Sequence, residues 1–520
     1  MISLADMLLN YGLAMVFLVF ILATVSICSI IYLIFLHIMH KRYAHIPSPK
    51  RASFILGHLP LILTGYKKGS YFVEILRQWI EENGDTIAIF MLHRVFVVTV
   101  DPYSVRDLMV TGGHPKDPDS YKVASYLFGE RFLGNGLATS TDFIHWAHRR
   151  TIIAPAFHRR LLLNHINDFN QGADRLMSKL RSMASKDKPV KMLHQFNRAA
   201  LDIIGKVAFG MDVDSLHNEC SPFPNAIHTA MEGFSEYTKN PLSGINPFLR
   251  SFHKDVRQAI RFLRDTGQRC FQERIRQLEA GEDCPVDVLT LAIKAAETDK
   301  GFDLEALLDD FVTFFIAGQE TTAITLSFTV MELGRHPDVL ERLREEVQEQ
   351  IGDKEVITYE DVSKLEYMNM VLRESLRLYP PSPMTFRKTL QTQDIGGYTM
   401  PSGTTVLLST YISSRLEQFF PDHTTFDPER FNPNNEIRPS LYACYPFSIG
   451  HRNCVGQQFA QLEAKIILSK FIREFDFVLD SDQSLEAEQI ATLRPKGEVT
   501  CFLCERSTPG GGHNRPGSLY

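Results

Sequence analysis

Hydrophobic side chains are distributed along this chain in two different ways. From Met7 to Leu36 they run without one charged residue, whereas beyond residue 50 they recur at helical and strand spacing inside polar sequence. At ~1.5 Å per helical residue the first run exceeds the ~30 Å hydrocarbon layer of a bilayer. Lys41, Arg42, Lys50 and Arg51 follow it, and the tendency of basic residues to stay inside sets the body in the cytosol. Asp6 stands where a cleaved signal peptide needs a basic start, so residues 1–40 read as an uncleaved, single-pass signal anchor. His45-Ile46-Pro47-Ser48-Pro49 then reads as a stiff, non-helical hinge over 41–50, because proline fixes φ and restricts the residue before it.

Helical periodicity dominates the rest. It predicts a long helix over Leu304–Leu333, ended by Gly334 and Pro337, then a charged surface helix over Asp338–Ile351 with Gly352 past its end. A third covers Leu365–Tyr379 and stops at Pro380 and Pro381. Shorter β-branched runs predict strands at Thr86–Met91, Val95–Val100, Thr404–Ser409 and Val499–Leu503. The expected architecture is mainly α (α+β), one large body over 51–506 with small sheets. Ser507–Tyr520, rich in glycine and proline, is expected to be a disordered tail.

Composition narrows the possible partners. With 44% apolar and 22% charged residues the body suits a packed globule, and a net charge of -6 argues against nucleic acid. Eight scattered cysteines do not make a disulfide framework. The one close pair, Cys501 and Cys504, falls in a strand-like run with no second pair or histidine pair nearby, so a metal site there is disfavoured.

Chemistry concentrates in four segments. In Phe447-Ser448-Ile449-Gly450-His451-Arg452-Asn453-Cys454-Val455-Gly456, a cysteine between two glycines precedes an apolar helical segment. Backbone N–H groups and the helix dipole at such a place favour the thiolate, and glycine permits unusual dihedrals and close backbone approach. Ala317-Gly318-Gln319-Glu320-Thr321-Thr322 puts polar groups in the middle of the apolar helix, where they are costly unless paired. Locally, Thr321 can simply bond the carbonyl of Ala317 four residues back. Glu374 and Arg377, three apart, share a helix face, as do Trp146 and Arg150, four apart.

These segments, with Phe426-Asp427-Pro428-Glu429-Arg430-Phe431, resemble the motifs of the cytochrome P450 family in order and spacing. The resemblance implies haem b with Cys454 as axial ligand of the iron, in a loop formed by Phe447, Gly450 and Gly456. It implies Trp146, Arg150, Arg387 and Arg452 at the haem edge, where guanidinium suits propionate carboxylates. Glu320 and Thr321 would be the catalytic pair, and Glu374, Arg377 and Arg430 a buried structural network. No nucleotide-binding glycine motif follows a strand, so electrons are expected from a partner, and the resemblance implies NADPH–cytochrome P450 reductase at the endoplasmic reticulum membrane.

Within the family the chain most resembles the cholesterol 24-hydroxylases. That resemblance rests on stretches such as Phe54-Ile55-Leu56-Gly57-His58-Leu59-Pro60 and Phe311-Val312-Thr313-Phe314-Phe315-Ile316-Ala317-Gly318. It implies a monooxygenase that hydroxylates a lipophilic substrate, a sterol side chain, in a pocket containing Phe314, Ala317, Thr321, Met384 and Thr492. Gln319, Thr322 and Pro383 depart from the pattern, and Ser382-Pro383-Met384 lacks an aromatic wall. The competing readings are a monooxygenase of fatty acids or foreign lipophiles, a reductase-independent isomerase of lipid peroxides, and a non-enzymatic haem or sterol binder.

Overall fold

The computed structural model describes residues 4–185, 187–240, 242–298, 303–436 and 438–506, so the expected tail at 507–520 lies outside the described residues. The chain divides into two compact units: residues 1–105 with 388–408, and residues 106–387 with 409–520. A hydropathy profile cannot show this division, because one unit is assembled from segments far apart in sequence.

The first unit begins with the 39-residue helix Leu4–Arg42. Its stretch from Gly12 is exposed almost throughout and is long and apolar enough to cross a membrane. After Arg42 the chain turns, and the proline segment packs instead of swinging free: Ile46 is buried, and Ala88 N donates to Pro47 O at 2.8 Å. Strands Thr86–Met91 and Arg94–Thr99 form an antiparallel hairpin in which Ile89 faces Phe96. Thr405–Leu408 then pairs in parallel with the second of them, Val97 opposite Val406. Ile87, Ile89, Val97, Val98, Val406 and Leu407 are fully buried, which explains strands written as near-continuous apolar runs.

The second unit is mainly helical and centred on the helix Leu304–Arg335. Asp303 caps it by accepting from Glu305 N at 2.9 Å, and the chain breaks at His336-Pro337. Almost every side chain along it is buried, as expected of a helix apolar all round. It packs against Met192–Phe209, Arg250–Glu279, Glu366–Leu378 and Gln457–Glu474. Close approach to Met192–Phe209 requires Gly318, where a Cβ would lie 2.8 Å from the Ile204 side chain. Phe209 and Phe315 stack at 5.0 Å along the same contact. At the N-terminal end of the long helix, Asp309 is gripped by Arg131 and Arg264, and Asp310 by Arg149. Small sheets complete the unit, including Phe475–Leu479 beside Thr500–Glu505 and the hairpin Ala487–Gln489/Leu493–Pro495.

Candidate functional site

Every site residue inferred from the sequence lies in the second unit. The cysteine loop is shaped by its backbone. Cys454 N donates to Phe447 O at 2.8 Å and Asn453 N to Gly450 O at 3.1 Å, closing the loop just before the helix Gln457–Glu474. Gly450 takes φ 72°, and a Cβ there would fall 2.0 Å from Met109 O, so only glycine fits on both counts. Cys454 has exposed surface, yet protein crowds the sulfur so closely that burial pushes its thiol up. The two observations agree if that surface faces an enclosed space. A hydrogen bond from the Gly456 backbone and the charge of Arg150 act the other way and favour thiolate.

Arg150 forks onto the loop: Nη1 donates to Asn453 O and Nη2 to Asn453 Oδ1, each at 3.0 Å. It therefore braces the cysteine loop through Asn453, a residue the sequence did not single out. Arg452 turns back over Trp146, its guanidinium carbon 3.8 Å from the ring centroid, and Nη1 donates to Ser140 O at 2.9 Å. Its Nε and Nη2 are buried without a partner. Burial and the nearby charge of Arg387 bring Arg452 down to about 10. Arg387 donates to Thr385 Oγ1 at 2.8 Å, and Lys116 donates to Ala138 O. Lys116, Arg387 and Arg452 repel one another electrostatically. Among the described residues no carboxylate forms an ion pair with any of the three. Buried Arg387 and Arg452, with the half-exposed Lys116 beside them and two orphaned donors on Arg452, fit an anionic group carrying carboxylates. Lys116 and Tyr121, whose hydroxyl meets Thr385 Oγ1 at 2.9 Å, belong to this cluster. No spacing in Gly113-His114-Pro115-Lys116 marks them out.

The long helix has one opening. Residues 306–316 and 322–333 are buried, but Ala317 is exposed and Gly318, Glu320 and Thr321 are half-exposed. Surface in the middle of an otherwise buried helix faces an internal space. Thr321 makes the simple local bond, Oγ1 donating to Ala317 O at 2.7 Å, and the helix runs on unbroken. Glu320 Oε1 accepts from Thr492 Oγ1 at 2.8 Å, while Oε2 is buried without a partner. Burial pushes this carboxyl up, and Thr492 and Arg494 oppose it. Of the expected pocket residues, Ala317, Thr321, Met384 and Thr492 keep accessible surface. Phe314 is instead buried, edge-on to Phe157 at 5.3 Å. Phe157 meets Phe459 in turn at 6.3 Å, linking the opening to the helix that follows Cys454.

Behind these groups stands the network of Glu374 and Arg377. Arg377 Nε and Nη2 each donate to the Glu374 carboxylate at 2.7 Å, and both residues are fully buried. Arg377 also donates to the carbonyls of Ser414, His423 and Thr425. Arg430 Nε lies 3.4 Å from Glu374 Oε1, and Asp427 N donates to the same oxygen at 3.0 Å. The network thus pins residues 414–430, the approach to the cysteine loop.

Comparison with known proteins matches residues 47–502 to the family Cytochrome P450. The chain is 30% identical to "Cytochrome P450 3A6" of Oryctolagus cuniculus over 87% of its own length and 92% of that protein. It is 28% identical to "Cytochrome P450 4d2" of Drosophila melanogaster, covering 83% of this chain and 88% of the other. It is 29% identical to "Cytochrome P450 4V2" of Homo sapiens, covering 89% and 90%. These similarities bear on the family and not on cholesterol 24-hydroxylation.

Proposed function

The chain belongs to the cytochrome P450 family, and from that membership we propose that it is a haem b monooxygenase that hydroxylates a sterol side chain. It would be held in the endoplasmic reticulum membrane by the helix Leu4–Arg42, with its body in the cytosol. Bound haem supplies dioxygen chemistry, driven by electrons from NADPH through cytochrome P450 reductase.

The protein's part is holding, protonation and dryness. Cys454 acts as thiolate, favoured by the Gly456 N–H and by Arg150. Arg452, through its free Nε and Nη2, would hold propionate together with Arg387 and Lys116. Glu320 holds a proton at Oε2, and Thr321 passes it inward once its hydroxyl leaves Ala317 O. Buried apolar side chains on both sides of the opening exclude bulk water. The observation that carries the haem reading is the conjunction of Cys454 with buried Arg387 and Arg452, which form no ion pair with a carboxylate among the described residues; the sterol rests on the sequence resemblance alone.

The Glu320–Thr321 pair disfavours a lipid-peroxide isomerase, which needs no proton relay. The test is a sterol panel titrated into ferric protein, followed by product identification with reductase and NADPH. A low-to-high-spin shift with side-chain hydroxylation supports the sterol reading. Absence of a shift with every sterol refutes it and turns the search to fatty acids and foreign lipophiles.

A further inference from the structure

We infer that Thr492 is a positioning residue for Glu320: its hydroxyl fixes one carboxylate oxygen and leaves the other turned to the proton path. The inference rests on the monooxygenase reading for the meaning of that path, but the contact itself stands on geometry. Glu320 sits in the only half-exposed turn between residues 306 and 333 of the long helix. Its Oε1 accepts from Thr492 Oγ1 at 2.8 Å, and its Oε2 is buried with no partner. A carboxylate with two equivalent oxygens has no reason to present a given one. An asymmetric anchor supplies the reason.

Thr492 is itself anchored. Ile490 N donates to Thr492 O at 3.1 Å, which closes the turn of the hairpin Ala487–Gln489/Leu493–Pro495. Leu493 N donates to Pro381 O at 3.0 Å, tying the turn to the segment that leads to Met384. The hairpin strand also packs on the long helix. Two stretches expected to line the substrate pocket, around Met384 and around Thr492, are thus joined to each other by one backbone bond, and the Thr492 hydroxyl ties them to the acid. Substrate that shifts this turn would change how Glu320 is held, so pocket occupancy and proton supply share a contact.

The charged and titratable groups facing Glu320 are few. Arg494, on the same strand as the turn, lowers its proton affinity while bonding Glu488 at 2.9 Å. Glu463 lies under the neighbouring Thr322 from the helix Gln457–Glu474. Burial acts against ionisation, and the Thr492 hydroxyl, donating to the charged form, acts for it. Removing the hydroxyl leaves burial less opposed, so the carboxyl must bind its proton more tightly. A lost hydrogen bond to a charged group corresponds to an upward shift of about one pH unit or more.

The experiment uses full-length holoenzyme carrying Thr492→Val, which keeps the β-branched shape, and Thr492→Ser, which keeps the hydroxyl. The Glu320 carboxyl is followed by infrared difference titration, identified by its absence in Glu320→Gln. With reductase and NADPH, product per NADPH and the pH profile are recorded. The expected result is a carboxyl midpoint raised by about one unit in Thr492→Val. The acid limb of turnover moves with it, fewer product molecules form per NADPH, and KM changes little. Thr492→Ser restores the midpoint. An unmoved midpoint in Thr492→Val, or a raised KM with an unchanged pH profile, overturns the inference and leaves Thr492 a wall residue. If wild-type protein forms no hydroxylated product, the monooxygenase reading fails, while the infrared midpoint still decides the role of Thr492.

Discussion

Arg377→Met tests the claim that a buried ion network holds the approach to the cysteine loop. Methionine roughly fills the space, so the change is chiefly electrostatic. It leaves the fully buried Glu374 carboxylate without both of its 2.7 Å donors, with only the Asp427 N–H at 3.0 Å and the Arg430 charge at 3.4 Å remaining. It also strips a donor from the carbonyls of Ser414, His423 and Thr425. Breaking one side of a buried pair costs about 3–5 kcal/mol, a large part of the roughly 5–15 kcal/mol that stabilises a typical domain. Glu374→Gln should fall in the same range, because Arg377 is then buried without a counter-charge. The double variant Glu374→Gln/Arg377→Met removes both stranded charges, so it should cost less than the sum of the singles, with a coupling of about 1–3 kcal/mol. Urea denaturation followed by circular dichroism gives the free energies, and limited proteolysis reports on residues 414–430. Either single costing under about 1 kcal/mol, or strict additivity in the double, would refute the reasoning.

Other outcomes follow from the same contacts. Cys454→Ser should fold, with a wild-type far-ultraviolet spectrum, yet lose the thiolate-type band of the reduced carbon monoxide complex; a retained band would show the wrong ligand has been assigned. Arg452→Met removes an uncompensated buried cation, so haem should pass to apomyoglobin about ten times faster or more while the cofactor-free chain is not destabilised. Glu463, buried with both oxygens unpartnered, is pushed up to about 8. With a folded pKa above the unfolded one, the protonated form is favoured by folding, and stability falls as pH rises between 4.5 and about 8. Glu463→Gln, which mimics the protonated form, should therefore gain on wild type by about 1.4 kcal/mol per pH unit across that window, measured by urea midpoints. A gap that does not change with pH would contradict this.

Much of the fold was legible because its boundaries are written in local chemistry. The long helix was expected over Leu304–Leu333 and spans Leu304–Arg335, since Asp303 can cap it and Pro337 must end it. Thr86–Met91 is a strand as expected, and Thr404–Ser409 is one over Thr405–Leu408. Pairing was not legible: nothing near Val97 announces Val406 as its parallel neighbour. The site divides in the same way. Phe447, Gly450 and Cys454 form one local loop, so their pattern can be read from the sequence. Lys116, Tyr121, Asn453 and the Thr492–Glu320 bond arise only where distant segments meet. Phe314 has the helical spacing of a pocket wall, while its edge contact with Phe157 comes from a segment that spacing cannot reveal.

The parallel pairing of Arg94–Thr99 with Thr405–Leu408 also orders events during synthesis. The hairpin emerges early, but its neighbour follows roughly 300 residues later. At ~5–20 residues per second the ribosome takes on the order of 15–60 s to deliver it. In that interval residues 106–387, most of the second unit, have left the exit tunnel and can begin to collapse around the long helix. The unit begun first is therefore completed late, and its open strand edge is a natural client for chaperones until residue 408 arrives.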